Sequence, residues 1–172
     1  MLAGLENISV ARAFLQAQTD AAPDSAGRDF YSGVFFGWIG EDVKADMDLC
    51  FPADAELTSA LEDMFNAQID EDWDTYGDAM NRANDAFETD IQSCKDNYRV
   101  WTVAQDLASV VMSFEKLDDW ETILRTNIDD NIQAIKGYGV QSLLAWNSGV
   151  QFFEAGSLAG TVDAIMFKFP EN

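Results

Sequence analysis

The chain has 172 residues, the length of one domain, and 48% of them are apolar, which is enough to form a core. It carries 31 acidic and 10 basic residues, a formal net charge of −21. This charge excludes nucleic acid as a main partner, because affinity for phosphates comes from Lys and Arg. It disfavours anionic membrane surfaces and favours divalent cations and cationic partners. No apolar stretch is long enough to predict a membrane-spanning helix.

No segment shows the alternation of apolar and polar residues that is typical of strands, so the fold class is predicted to be all-α. We expect residues 1–172 to form a single-domain bundle of about five to seven helices with one long central helix. Residues 1–22 are predicted to hold a peripheral helix or an arm between subunits, and Asn7 begins a glycosylation pattern. The apolar face of this first helix consists of Leu5, Ile8, Ala11, Phe14 and Leu15.

A second helix is predicted from Asp24 to Cys50, and its first half is apolar on nearly every side. Gly33 and Gly37 are four residues apart, a spacing that lets another helix approach closely. A similar Ser-Gly-Val pattern, beginning at Ser148, occurs in the last predicted element and is followed by a similar glycine spacing, so these two glycine-bearing helices are expected to be neighbours in the core. The alternative is an apolar face that meets another subunit. The candidate interface residues are Phe30, Phe35, Phe36, Trp38, Phe152 and Phe153.

Asp54 is predicted to cap a third helix, and Asp72 is predicted to cap the long central one. Apolar residues recur in steps of three and four from Asp70 to Trp101, which predicts about eight continuous turns. Beyond Trp101 the helix either continues or bends.

Trp120 is predicted to begin the next helix, and Gly137-Tyr138-Gly139 is predicted to end it. The last element is predicted to run over residues 140–169. Asn127 and Asn131 lie on an apolar stripe, where they either hydrogen-bond across the bundle or mark its edge.

The two cysteines, Cys50 and Cys94, are each near the end of a predicted helix. In an oxidising compartment they would pair and close a loop of about 45 residues. The alternative is a pair of buried free thiols in a cytosolic protein.

The absence of His from the sequence removes the usual Ser-His, Cys-His and zinc chemistries, so we expect no enzymatic activity and no resident cofactor. Alternate acids near residue 72 partly match a calcium loop, but Thr75 stands at the position that requires Gly, and Asn81 at the one that requires Glu. The segment is not an EF-hand, and a weak calcium contact is the alternative to helix capping. The candidate ligands are Asp70, Asp72, Asp74 and Asp78.

Four features occur together over residues 30–167: an aromatic-Gly helix, Cys50 after it, an acidic helix ending at Cys94, and a closing helix with Gly156 and Gly160. This arrangement resembles the small, acidic, two-cysteine helical proteins that are abundant in ciliates and usually made with a signal peptide. The resemblance implies a secretory-route, disulfide-linked protein without enzymatic activity. An extracellular or secretory localisation is therefore expected.

The first functional hypothesis is a structural protein that associates with copies of itself or with other chains through apolar helical faces. The second is a carrier that encloses a lipid or pigment between the two glycine-bearing helices. The third is an accessory subunit of a membrane complex.

Overall fold

The computed structural model describes residues 22–170, which form eight α-helices and contain no strand. The all-α prediction is confirmed, and the described part alone exceeds the expected five to seven helices. The predicted helix in residues 1–22 and the glycosylation candidate Asn7 lie outside the described residues, apart from Ala22. The helices are α1 (Ala26–Ile39), α2 (Lys44–Cys50), α3 (Ala55–Asp70), α4 (Trp73–Asp90), α5 (Tyr98–Phe114), α6 (Trp120–Asp130), α7 (Ile132–Asn147) and α8 (Phe152–Met166), and a 3₁₀ turn spans Ile91–Cys94.

The predicted second helix is two helices, because Gly40 ends α1. Gly40 adopts a left-handed conformation with φ of 85°, and its N–H donates to the Phe36 carbonyl at 2.9 Å. Glycine adopts this conformation without steric penalty, which makes it a common helix stop. Asp54 caps α3 as predicted, because its carboxylate accepts a hydrogen bond from Glu56 N at 2.8 Å.

The prediction of one continuous helix from Asp70 to Trp101 is wrong. Helix α4 ends at Asp90, the chain tightens into the 3₁₀ turn, and α5 begins at Tyr98. Asn97 starts this new helix by accepting a hydrogen bond from Val100 N at 3.2 Å. The periodicity alone did not reveal the break, because the apolar spacing continues on both sides of it. Asp72 caps α4 through Thr75 N at 3.1 Å, as expected.

The expected stop at Gly137-Tyr138-Gly139 is also wrong, since α7 passes through both glycines and ends at Asn147. Neither glycine has a positive φ, so both keep a helical backbone there. The break falls instead at Asn131, between α6 and α7. Asn127 bonds across to the end of α8, donating to the Met166 carbonyl at 2.9 Å, whereas Asn131 is exposed.

Helices α1 and α8 are in direct backbone contact, which confirms that the two glycine-bearing helices are neighbours. A Cβ atom on Gly33 or Gly37 would overlap the backbone of Phe153 or Ser157. Gly156 lies in the same way against Phe30, and Gly160 against Val34. The residue numbers of α1 and of α8 increase in the same direction along the contact, so the two helices run parallel. Each helix thus presents a pair of glycines, four residues apart, to the other.

Three clusters of aromatic side chains, the first two of which touch through Phe30 and Tyr31 at 5.6 Å, pack most of the remaining helices around this pair. The first joins α1, α3, α7 and α8, the second joins α1 to α4 and the residue after α2, and the third joins α1 to α5 and the end of the described chain. Their ring centroids lie 4.1–5.9 Å apart, the range of favourable aromatic contacts. The clusters consist of Phe30, Phe65, Trp146 and Phe152; of Tyr31, Phe35, Phe51 and Phe87; and of Trp38, Phe114, Phe167 and Phe169.

The variant Gly37→Ala tests the backbone contact. We expect it to lower the free energy of unfolding by at least about 2 kcal/mol, because its methyl group would meet a backbone carbonyl that cannot rotate away. The control is Gly77→Ala in α4, where an added Cβ meets no neighbouring atom, and where alanine should be neutral or stabilising. Urea unfolding followed by circular dichroism measures both, and equal stabilities for the two variants would contradict the contact.

Candidate interaction surface

Three of the predicted interface residues belong to the core instead. Phe30, Phe35 and Phe152 are buried within the aromatic clusters. They cannot meet another subunit without unfolding of the bundle, so their assignment as interface residues is wrong. The physical reason is that α1 is apolar on nearly all sides, and α8, α3 and α4 cover most of them.

The predicted interface residues that stay accessible are Phe36, Phe153 and, in part, Trp38. Phe36 on α1 is 42% exposed, and its ring lies 5.7 Å from that of Phe153 on α8. Val150, three residues before Phe153, is 81% exposed. Trp38 stacks on Phe167 at 5.3 Å and is half-buried. We call the group Phe36, Val150 and Phe153 the aromatic edge.

The charges around α1 and α2 are largely paired. Lys44 bridges Asp29 at 2.8 Å and Asp48 at 3.3 Å, and Arg99 reaches Asp46 at 3.0 Å. The bond to Asp29 favours the charged ammonium, and the pKa of Lys44 is raised although partial burial opposes this. These pairs join α2 to α1 through Asp29 and join the start of α5 to α2 through Asp46.

Cys50 and Cys94 form a disulfide whose Cα atoms are 4.9 Å apart. The bond joins the last residue of α2 to the last residue of the 3₁₀ turn, and Cys94 is fully buried. The predicted pairing is therefore confirmed. It closes a loop of about 45 residues, for which chain entropy predicts about 4 kcal/mol of stabilisation.

Reduction of this disulfide is expected to lower the melting temperature by roughly ten degrees, since about 4 kcal/mol is spread over a domain of this size. Differential scanning calorimetry with and without reductant measures the shift. The variant Cys50→Ser with Cys94→Ser should melt like the reduced protein. If native protein is alkylated at both cysteines before any reduction, the prediction fails.

The calcium candidates do not gather into a site. Among residues 22–170, no group of three or more acidic or cysteine side chains is positioned to hold a metal ion. The Asp72 carboxylate accepts two hydrogen bonds from Thr75, one from the backbone N–H and one from the hydroxyl at 2.7 Å. These bonds lower the pKa of Asp72 below its ordinary value. Asp70 is the last residue of α3, Asp72 caps α4, and Asp74 and Asp78 lie within α4; all four are exposed.

Asp163 on α8 carries a buried carboxyl group that was not among the predicted site residues. Burial raises its pKa to about 7, and no basic residue pairs with it in the described interactions. Burial also raises the pKa of Tyr31 and of Tyr76, and the charge of Asp163 raises both further. The charge of Asp163 therefore acts on two tyrosines, one from α1 and one from α4. The only signal in the sequence is that α8, a mostly apolar helix, carries an acid at Asp163 besides Glu154 near its start.

A second carboxyl, Asp90, lies at the end of α4 near the start of α3. Burial raises its pKa to about 6, and the neighbouring carboxyls of Asp54 and Glu56 add to the shift. With Arg82 and Asp85 these residues line a shallow hollow of about 240 Å³. Arg82 is bonded to Asp63 at 2.7 Å across the α3–α4 pair. The group links the end of α4 to the start of α3.

The space between the two glycine-bearing helices, where the carrier hypothesis places its ligand, is filled by the backbones of α1 and α8. A shallow groove of about 350 Å³ lies elsewhere, along one face of α5 near Met112. Within residues 22–170, no helix is both long and apolar enough to cross a membrane.

Comparisons with protein-family models, with curated proteins and with solved structures find no match to this chain. The assignment of a function therefore depends on the geometry described above.

Asp163→Asn is expected to change how stability depends on pH. The pKa of Asp163 is raised from 3.8 to about 7, so between these values the folded state binds more protons than the unfolded state, and stability falls as pH rises. Asparagine does not ionise, so it removes this fall in stability. The variant should therefore be more stable than the parent protein at pH 8, and the difference in stability should be much smaller at pH 5.

The control is Glu154→Gln, which removes an exposed acid from the same helix. Chemical denaturation at pH 5, 6.5 and 8 measures both variants. A gain that is equal at all three pH values would contradict a buried, titrating Asp163.

Proposed function

We propose that this protein is a non-enzymatic structural component that associates with copies of itself or with other protein chains through the aromatic edge. The observation that supports this proposal is the ring pair formed by Phe36, which is exposed, and Phe153, which is half-buried; the pair bridges the two helices in closest contact. Large aromatic side chains that stay accessible next to each other are typical of protein interfaces.

The backbone contact beneath the edge makes it suitable for binding. Phe36 lies next to Gly37, and Phe153 supplies the carbonyl that Gly33 contacts, so the two rings are carried by backbones that cannot slide. Rings held in this way lose little conformational freedom on binding. Val150 extends the apolar area beyond the start of α8.

The charge of the chain sets the conditions for association. Each copy carries a formal net charge of −21, so two copies repel each other as they approach. At physiological ionic strength, salt screens this repulsion over about 8 Å. Calcium, or a pH between 5 and 4 where carboxylates take up protons, should therefore strengthen the association. The densest acidic clusters are Asp70, Asp72 and Asp74, and Asp118 with Asp119.

The disulfide supports a secretory or extracellular setting as part of this proposal, because such bonds persist in oxidising compartments. A subunit of a larger membrane complex would use the same edge against another subunit. The carrier hypothesis has no comparable support, since backbone atoms occupy its ligand space.

Phe36→Ser and Phe153→Ser test the proposal. Each is expected to weaken association about tenfold or more, because removal of a central aromatic side chain costs roughly 2 kcal/mol at an interface. The matched control is Met112→Ser, which removes an exposed apolar side chain from α5. Size-exclusion chromatography with light scattering over a concentration series measures the effect, with and without millimolar calcium.

Two results would overturn the proposal. A parent protein that is a strict monomer at every concentration, with or without calcium, would remove the basis for assembly. A Met112→Ser variant as impaired as Phe36→Ser would move the interface away from the aromatic edge.

A further inference from the structure

Helix α4 carries a row of apolar side chains that the described residues 22–170 do not cover fully. Trp73, Tyr76 and Met80 are three and four residues apart, so they lie on one face of the helix. Trp73 is 62% exposed and Met80 is 40% exposed. Tyr76 is half-buried, and its ring lies 5.7 Å from that of Trp73. We call these three residues the α4 row.

The exposure of Trp73 distinguishes it from the other four tryptophans, which are buried or half-buried. Trp, Tyr and Met are common at the centres of protein interfaces, and Trp and Tyr are among the side chains that contribute most to binding. From Trp73 to Met80 the row is about 10 Å long, which is two helical turns. A partner segment of a few helical turns is therefore long enough to cover it.

A second row on the same helix is acidic. Asp74, Asp78 and Asp85 are four and seven residues apart, so they share the face that adjoins the α4 row. All three are exposed, and within the described part of the chain none forms an ion pair with Lys or Arg. Arg82, the single base of α4, bonds Asp63 of α3 instead. These carboxylates are thus available to a cation from outside.

The charges around the α4 row determine the sign of a complementary partner. Burial raises the pKa of Tyr76 and the charge of Asp163 raises it further, so a carboxyl from α8 also acts on the row. The face of an exposed Trp attracts Lys and Arg side chains as well. A second copy of the chain would bring a formal net charge of −21, and an anionic membrane would be repelled in the same way.

We propose that α4 binds a basic amphipathic helix of another protein, with the apolar side of that helix on the α4 row and its Lys or Arg side chains against Asp74, Asp78 and Asp85. Amphipathic helices dock in this way through apolar anchors spaced three and four residues apart. The inference goes beyond the proposed function and does not rest on it, because no residue of the aromatic edge takes part.

A synthetic peptide of Leu and Lys, about 18 residues or five helical turns long, tests the inference with the full chain. Its Leu residues lie on one side of the helix and its Lys residues on the other. A control peptide has the same composition in a shuffled order, so that no side is apolar. Titration calorimetry should show one amphipathic peptide bound per chain, at least tenfold more tightly than the shuffled peptide, because charge alone attracts both.

Trp73→Ser separates the apolar row from the charge, since it leaves the net charge unchanged. It should weaken binding of the amphipathic peptide at least tenfold. Met80→Ser repeats the test at the other end of the row. The matched control is Met112→Ser on α5, which is 57% exposed and should bind the peptide like the parent protein. Circular dichroism checks that each variant is folded.

The acidic row is tested by Asp74→Asn combined with Asp78→Asn. This variant should bind the peptide severalfold more weakly and with a smaller dependence on salt, because two of the attracting charges are gone. The control is Asp118→Asn combined with Asp119→Asn, which removes the same charge from exposed positions just before α6.

The inference is wrong if the parent protein binds neither peptide or binds both equally. It is also wrong if Trp73→Ser and Met80→Ser bind like the parent, or if the Asp118 and Asp119 control is as impaired as the acidic-row variant, which would show attraction by total charge alone. Phe36→Ser should bind the peptide normally. Loss of binding in that variant would assign the peptide to the aromatic edge, whereas loss of self-association alone concerns only the proposed function.

Discussion

The backbone contact between α1 and α8 is the constraint on which the other packing depends. Glycine at four positions brings the two helix axes so close that a methyl group at any of them would overlap the partner's backbone. At this distance no side chain fits between the two helices, so side chains project only from the two sides of the contact. The aromatic residues lie on these two sides. One flank faces α3, α4 and α7 and is buried. The other carries Phe36 and Phe153 and stays open, so the same contact creates both the core and the aromatic edge.

Local signals in the sequence predicted the parts of the fold that depend on neighbouring residues. The caps Asp54 and Asp72 act through side chains that bond two or three residues away, and such signals are readable without a structure. The pairing of the glycine-bearing helices was also predictable, because both carry the same spacing. The positions of helix breaks were harder to predict. Gly40 ends a helix whereas Gly137 lies inside one, and only the surrounding packing distinguishes the two glycines.

The candidate surface was only partly predictable for a related reason. The apolar pattern does not distinguish Phe30, Phe35 and Phe36 from one another. In a helix that is apolar on all sides, the pattern does not show which side other helices will cover. Burial of Phe35 and exposure of Phe36 follow from where α4 and α8 cross α1. Asp163 was missed because an acid in a helix is common, and Tyr31 and Tyr76, whose pKa values its charge raises, come from distant parts of the chain.

The pairing of α1 with α8 also has a consequence for synthesis of the chain. Gly33 contacts Phe153, and the two are 120 residues apart, so the first described helix cannot find its partner until the last one has been made. Contacts at such separations slow folding because a long loop must close before they contribute. While the ribosome adds the intervening residues, the glycine face of α1 lacks the helix that covers it. A chaperone that binds apolar segments would find its main target in α1 during that interval.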